Sequence, residues 1–539
     1  MTKIDDSIPF IDLIGDMEEN FYQLGLKDAE AAKLSLKHTE NLIKTPWQGL
    51  DAGLKFLAES LFKGSKSWKT RFSPWTKAYA EGLGMTQEKF LLILLVPELS
   101  ASFSKWLPRL PKTLLGCSSL FYKDEDSQLN HLRTLDFPLG ENFGKNERLL
   151  RTQFKDQPTI VSYGSAGFPY PSLSATTSEG LTLALHQKFN DVFDPTGTPI
   201  FELVQDLLIR CGDLKTCLSF LRKSKSLTTW SLHIGFKDGQ VLEADLGGSE
   251  LIYQTYQLND HDYLYFNNRL IDDKKINHDQ PPLNFQLYNQ YRSDSAKRKL
   301  KKFSDKKIKT NDLLKAWTTL ESRKSHGLDV LTPSSMHVVA LNPSKASLKA
   351  IKGHAPKTWQ GMIQEETGLW GKDKRQSHTH GKEKKLSDID KAWRHLMHAQ
   401  SFHDLEDLHK LHHHLQLAKR KIKGFGLEPT IKLFSLVFTF LSEENEKVLS
   451  QIAQDTLDLV PALDKSLVDH AWLLIFRIEK ILNIPSSVFA AQIHQSSLAK
   501  LLEVEASIPN VVFKRVIRGL IQPRIELLDI FYLHQRIDS

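Results

Sequence analysis

A strand-rich middle flanked by two helical stretches predicts an α/β protein of more than one domain. Between residues 116 and 355, short runs of β-branched and aromatic residues alternate with Gly, Asn and Asp turns. On either side, apolar residues recur at helical spacing. A Gly- and Lys-rich polar tract at 367–386 separates the middle from the second helical stretch. The chain has 539 residues, more than one ordinary domain holds, so two or three domains are expected. Hydrophobic residues make up 40% and charged residues 25%, the balance of a globular protein in water. The net charge of +7, spread over this length, does not call for nucleic acid.

Residues 1–116 read as a helical N-terminal segment. Leu13 to Ile43 has a helical apolar pattern broken by Gly25, and Asp51 to Phe62 and Thr86 to Val96 continue it. Thr86 followed by Glu88 and Lys89 marks a helix start. Trp47, Trp68, Trp75 and Trp106 add bulky anchors. The N-terminus carries acids early and lacks the apolar core of a secretory signal. The longest apolar run, Phe90 to Val96, is too short to cross a bilayer. The three cysteines, Cys117, Cys211 and Cys217, give no disulfide framework and suit a reducing compartment. A cytoplasmic protein is therefore expected.

The pattern turns to strands at Cys117. Cys117 to Tyr122 and Asn130 to Phe137 read as two strands around the polar turn Asp124-Glu125-Asp126. Thr159 to Tyr163 is a further strand, followed by the aromatic loop Phe168-Pro169-Tyr170. Leu173 to Thr177 and Leu181 to Leu185 pair around Ser178-Glu179-Gly180. Pro199 to Arg210 and Leu214 to Lys223 are amphipathic helices. Trp230 to Phe236, Gln240 to Ala244 and Leu251 to Tyr256 are strands, with Asp238-Gly239 a strong hairpin signal. Asn311 to Leu320 is a helix, and Ser335 to Leu341 and Ser347 to Ile351 close the strand system.

Residues 367–386 are expected as a polar basic linker. His378 and His380 within it have no Cys or acidic partner at ligand spacing. Residues 387–539 form a helical C-terminal domain punctuated by Pro461, Pro485, Pro509 and Pro523. His409 and His413 share a helix face, but the Glu that zinc proteases place after the first His is missing. No metal and no cofactor is expected. The helical domain is offered as a surface for a protein partner.

The hairpin at Cys117 carries the chemistry. Arg133 and Asp136 follow Cys117 by sixteen and nineteen positions, and a hairpin returns both toward it. A thiol is a weak nucleophile near its free pKa of about 8.5 and needs a base or a positive neighbour. His131 is the nearest histidine, and spacing alone leaves it open as that base. Another base exists if the Gly116–Cys117 bond is cut, because a freed α-amino group titrates at about 7.7–8.0. A lone cysteine would read as a small buried hydrophobe. Gly116 before it and Arg133 and Asp136 after it shift the reading to a nucleophile.

This stretch resembles the start of the catalytic subunit of cysteine N-terminal-nucleophile (Ntn) hydrolases. It is most similar to the isopenicillin-N (acyl-CoA:6-aminopenicillanic acid) acyltransferase family, with acid ceramidase and choloylglycine hydrolase as more distant relatives. The match is the nucleophilic Cys and the following Arg-x-x-Asp, here Cys117, Arg133 and Asp136. It covers roughly residues 75–355 and is densest at 116–140. The resemblance implies a four-layer αββα sandwich over 117–366, autocatalytic cleavage between Gly116 and Cys117, and an N-terminal segment that stays attached as a propeptide-like subunit.

It implies further an amidase or acyltransferase that acts on a non-peptide N-acyl compound through a Cys117 thioester, with a small N-acyl or acyl-thioester substrate. Asn268 matches the family's oxyanion asparagine, with Asn267 one place earlier as competitor. Arg298 of Ser295-Ala-Lys-Arg298 matches an arginine that opens a helix and supports the site. Thr177 stands where the family carries an Asn. Two other readings stay open. One is an ester or thioester hydrolase that uses the same thiol uncut. The other is an inactive homologue whose helical domain binds a protein.

Overall fold

The computed structural model describes residues 7–42, 72–98, 116–137, 140–188, 192–269, 271, 283–304, 306–321, 329–371, 374–382, 384–421, 427–517 and 523–528. These fall into two compact units. The first holds 7–39, 72–98 and the described residues from 116 to 385; the second holds 40–42 and those from 386 to 528. The helix expected at Asp51 to Phe62, with Trp47, Trp68 and Trp106, lies outside the described residues.

The first element among the described residues is strand β1 (Phe10–Gly15), where a helical pattern is expected, and it leads into helix α1 (Met17–Leu42). Helices α2 (Pro74–Gly82) and α3 (Gln87–Leu94) follow. Thr86 caps α3 by accepting from the Lys89 N–H at 3.3 Å. Gly25 does not break α1. A Cβ there would lie 2.3 Å from the Tyr79 carbonyl, so this glycine lets α1 and α2 cross backbone to backbone.

The predicted hairpin forms as β2 (Gly116–Lys123) and β3 (Leu129–Asp136). Next come α4 (Gly140–Gly144), β4 (Glu147–Phe154), β5 (Ile160–Ser165), β6 (Ser174–Thr177) and β7 (Leu181–Gln187). Helices α5 (Ile200–Arg210) and α6 (Leu214–Leu221) precede β8 (Thr229–Phe236), β9 (Gln240–Gly247), β10 (Glu250–Gln257) and β11 (Tyr263–Phe266). Gly239 turns β8 into β9 with φ +89°, a conformation that costs glycine nothing. The unit ends with α7 (Leu283–Leu300), α8 (Thr310–Thr318), β12 (Ser335–Asn342), β13 (Ser347–Ile351), β14 (Ile363–Thr367) and β15 (Gln376–His380).

The strands form two sheets. One runs β1-β4-β5-β6-β7-β8-β9-β10 and the other β11-β2-β3-β12-β13-β14-β15. The sheets stack face to face. Leu149, Val161 and Tyr163 of the first pack with Val339, Leu341, Leu348 and Ala350 of the second in one apolar cluster. Outside the first sheet, Phe201 of α5 stands 5.9 Å from the Trp230 ring of β8. Outside the second, Trp317 of α8 donates to the Thr134 hydroxyl of β3 at 3.0 Å. The order is therefore α, β, β, α. With both faces covered, β2 and β3 are buried along almost their whole length.

Several strands differ from the sequence reading: β4 and β14 have no counterpart in it, and two others fall where other structure is expected. β1 pairs in parallel with β4, Phe10 opposite Leu149, and so brings the N-terminal segment into a sheet. β15 lies within the stretch expected as a linker and pairs with β14, His378 opposite Glu365. Its sequence, QSHTH, is mostly exposed at a sheet edge, which is why it reads as polar linker.

The second unit is helical: α9 (Asp388–Asp404), α10 (Leu408–Lys421), α11 (Leu427–Ser442), α12 (Glu446–Leu459), α13 (Lys465–Ile481), α14 (Ser496–Ser507) and α15 (Asn510–Val516). Ser387 and Asp390 form a reciprocal cap at the start of α9. His409 stands edge-on to Phe438 at 4.9 Å. Among the described residues, no group of His, Cys, Asp and Glu could hold a metal, and no helix is long and apolar enough to cross a membrane.

Candidate active site

The β2–β3 ladder sets Gly116 opposite Asp136, Cys117 opposite Leu135 and Ser119 opposite Arg133. Side chains alternate along a strand. Cys117, Ser119 and Arg133 therefore face the other sheet, while Gly116, Ser118 and Asp136 face the outer helices. Thiol and guanidinium meet on the inner side. Arg133 Nη2 donates to Cys117 Sγ at 2.8 Å and to the Leu185 carbonyl at 2.7 Å. Burial pushes the Cys117 thiol up, and the charge and hydrogen bond of Arg133 oppose it.

The backbone N–H of Cys117 donates to Asn268 Oδ1 at 2.8 Å. Asn268 follows β11, which pairs beside β2 with Phe266 opposite Ser119. Its Nδ2 donates to the Gln187 carbonyl at 3.0 Å. Asn267, the competing position, turns away: its Nδ2 donates to the Asn289 carbonyl and to Ser293 Oγ on α7.

On the outer side Asp136 accepts from Ser335 Oγ at 2.5 Å and from Arg292 Nη1 at 3.0 Å. Burial raises the Asp136 carboxyl, with Arg292 the main opposing influence. Arg292 Nη2 also donates to Asn268 Oδ1 at 2.9 Å and to Asn289 Oδ1 at 2.7 Å. One buried guanidinium thus ties together Asp136 and Asn268.

Arg292 is the arginine that sequence reasoning missed. Arg298 bonds Glu321 at 2.7 Å through a half-exposed side chain. Ser295 and Arg298 lie in the last turns of α7 rather than opening a helix. The stretch YRSDSAKRK offers two arginines on one helix, and only the tertiary packing tells which meets Asp136. His131, left open as a base, meets Ser119 Oγ at 2.9 Å and stacks on Phe121 at 4.0 Å. Thr177 Oγ1 accepts from the Leu181 N–H at 3.4 Å, closing the β6–β7 turn.

A small apolar pocket lies beside the hairpin. Its wall includes Leu135, which pairs with Cys117, together with Phe168, Leu173, Met336 and, from the N-terminal segment, Leu36 and Ile93.

No family model matches the chain, and no curated protein matches it. Among solved structures, the chain is similar to a Caenorhabditis elegans ortholog of N-acylethanolamine-hydrolyzing acid amidase, at 12% identity over 42% of this chain and 93% of that one, with a TM-score of 0.32. It is similar to penicillin V acylase from Agrobacterium tumefaciens at 11% identity, over 46% of this chain and 90% of that one, with a TM-score of 0.29. A variant of the conjugated bile acid hydrolase from Clostridium perfringens gives 10% identity, 50% and 99% coverage and a TM-score of 0.31. None of these three is an isopenicillin-N acyltransferase.

Proposed function

We propose that the protein is a cysteine amidase or acyltransferase of the N-terminal-nucleophile type, acting on a small N-acyl compound. The observation that carries this is the buried thiol of Cys117, 2.8 Å from Arg133 Nη2, with its own backbone nitrogen held by Asn268 at 2.8 Å. The same two atoms are what such chemistry uses. Sγ attacks the Gly116 carbonyl, the S–C bond forms, and the C–N bond opens as the thiol proton passes to the leaving nitrogen, which becomes a neutral α-amine on Cys117. Water then hydrolyses the thioester and releases the N-terminal segment's carboxylate.

In turnover the α-amine takes the thiol proton and returns it to the leaving amine. Asp136 and Arg292 hold the charge around that amine. Asn268 orients it through Oδ1. Asn268 Nδ2 has two N–H groups and gives one to the Gln187 carbonyl; as an oxyanion donor it contributes a factor of about 10²–10³ in rate. The apolar wall that includes Leu135 supports an acyl group that is mostly hydrocarbon. Water or an amine resolves the second thioester, giving hydrolysis or acyl transfer.

The test is the intact mass of the full chain under denaturing conditions, beside Cys117→Ala, followed by amine release from N-acyl substrates of graded chain length. Two chains, the larger starting at Cys117, are expected from the wild type and one chain from the variant. A single chain in both, with no amide turnover after acid or neutral incubation, would sink the proposal.

A further inference from the structure

A polar track runs between the two sheets, where an apolar core is the usual filling. It links Arg133 and His131 on β3, Ser119 on β2, His186 on β7, His233 on β8 and Glu243 on β9. His186 is fully buried, and its Nε2 lies 2.7 Å from Arg133 Nη1, 2.9 Å from Ser119 Oγ and 3.1 Å from His233 Nδ1. A guanidinium has only donors. His186 Nε2 must therefore be the acceptor, and the ring is neutral with its proton on Nδ1. Burial and the neighbouring His233, Arg133 and Lys188 all hold the ring well below its usual proton affinity, in agreement with that assignment. Ser119 has a second outlet, since its Oγ lies 2.9 Å from His131 Nε2.

The contact matters because of how Arg133 is held. Nη2 is committed to Cys117 Sγ and the Leu185 carbonyl, and Nε meets no partner among the described residues. His186 is the acceptor on Nη1. Consecutive residues of β7, Leu185 and His186, thus grip the fork at two points and set the angle at which Nη2 meets the sulfur. With one grip lost, the guanidinium is free to swing about the Leu185 bond.

We propose that His186 is a positioning residue for Arg133, and through it for the Cys117 thiolate. The inference rests on reading Cys117 as the nucleophile. Groups facing the ring are Arg133 and His131 from β3, Ser119 from β2, His233 from β8, Lys188 just past the end of β7 and, beyond His233, Glu243 from β9 with its carboxylate 3.8 Å from His233 Nε2. Among these the ring's role is to accept without adding a second positive charge beside the guanidinium.

The test is ultraviolet titration of the Cys117 thiolate in the full chain, taken as the difference from Cys117→Ala so that Cys211 and Cys217 cancel. His186→Leu removes the acceptor and His186→Gln retains one. The expected result is an upward shift of about one pH unit or more in His186→Leu, a tenfold smaller thiolate fraction, and recovery to within a few tenths in His186→Gln. A His186→Leu titration that overlays the wild type overturns the proposal, as do equal shifts in both variants. If the Leu variant does not fold, nitrogen-15 spectra of histidine-labelled wild type decide: a proton found on His186 Nε2 overturns it, and a proton on Nδ1 supports it. Neither readout needs chain scission or a substrate. An uncut, inactive protein whose thiol still follows His186 would defeat the amidase reading alone.

Discussion

Gly116 and Asp136 face each other across the β2–β3 ladder with no room for a methyl group between them. A Cβ at 116 would lie 2.9 Å from the Tyr288 ring and 3.2 Å from Asp136 Cβ. Gly116→Ala should therefore cost about 1–3 kcal/mol by overpacking, read as a lower urea midpoint. It should also slow scission before Cys117 by at least about tenfold, the effect of a 1.4 kcal/mol misfit. Scission at the wild-type rate would mean that the bond's placement tolerates the shift.

The two arginines of α7 should behave in opposite ways. Arg292→Ala leaves Asp136 buried without its ion pair, a loss of about 3–5 kcal/mol, and abolishes activity. Arg298→Ala removes a half-exposed pair with Glu321 and should stay within about 1 kcal/mol of wild type. Denaturant midpoints and amide turnover on both variants check this. An inactive Arg298→Ala beside an active Arg292→Ala would reverse the assignment.

The outcome for those arginines marks what the sequence makes legible. The hairpin is readable because a polar turn, Asp124 to Asp126, separates two strand-like runs. Arg133 and Asp136 are then brought back by geometry alone. Arg292 is not readable, since nothing local distinguishes it from Arg298, six residues on. β1 lies exposed or half-buried at a sheet edge for most of its length and so lacks a strand's buried pattern, and β15 has the composition of a loop. The inter-sheet track left a signal that went unused. Arg133, His186 and His233 sit at inward positions of strands whose neighbours are apolar, and polar residues at buried positions need partners.

The N-terminal segment is held by more than its covalent bond. Arg148 of β4 pairs with buried Asp28 of α1, and Tyr79 of α2 donates to the same carboxylate at 2.6 Å. Asp28→Ala should lose about 3–5 kcal/mol. In a processed sample it should let the small chain separate on size-exclusion chromatography in mild urea, where the wild-type chains still travel together. Co-elution of the variant's chains under the same conditions would assign the attachment to the β1–β4 ladder instead.

Acid stability should depend on the buried histidines. Burial holds His233 well below its usual affinity for protons. The unfolded chain binds that proton near about pH 6.5, while the folded chain refuses it. The stability that comes from keeping His233 neutral is whole above about 6.5 and is lost as pH falls below it. Glu243, raised chiefly by burial, works in the opposite direction but remains in both proteins compared here. His233→Gln should thus show a shallower fall in urea midpoint between pH 7 and 5, by up to about 1.4 kcal/mol per pH unit. Parallel curves would indicate that the ring is already protonated in the fold.

The cavity should set chain-length preference. Met336, on β12 and buried in its wall, is placed to shorten it. Met336→Trp should raise KM for long acyl chains by about tenfold, a loss of about 1.4 kcal/mol of contact, while short-chain substrates keep theirs. A uniform change across the series would place the acyl group elsewhere.

The position of Cys117 within β2 has a kinetic meaning. A newly exposed chain end normally frays, and a nucleophile on a fraying end spends most of its time pointing elsewhere. Here the end created by opening the Gly116–Cys117 bond would emerge inside a sheet, backed by β3 and tethered by Asn268. Its translational and rotational freedom is surrendered when the sheet forms, long before a substrate arrives. Each encounter then meets a sulfur already at its station, and the entropy of aiming is charged to folding rather than to every turnover.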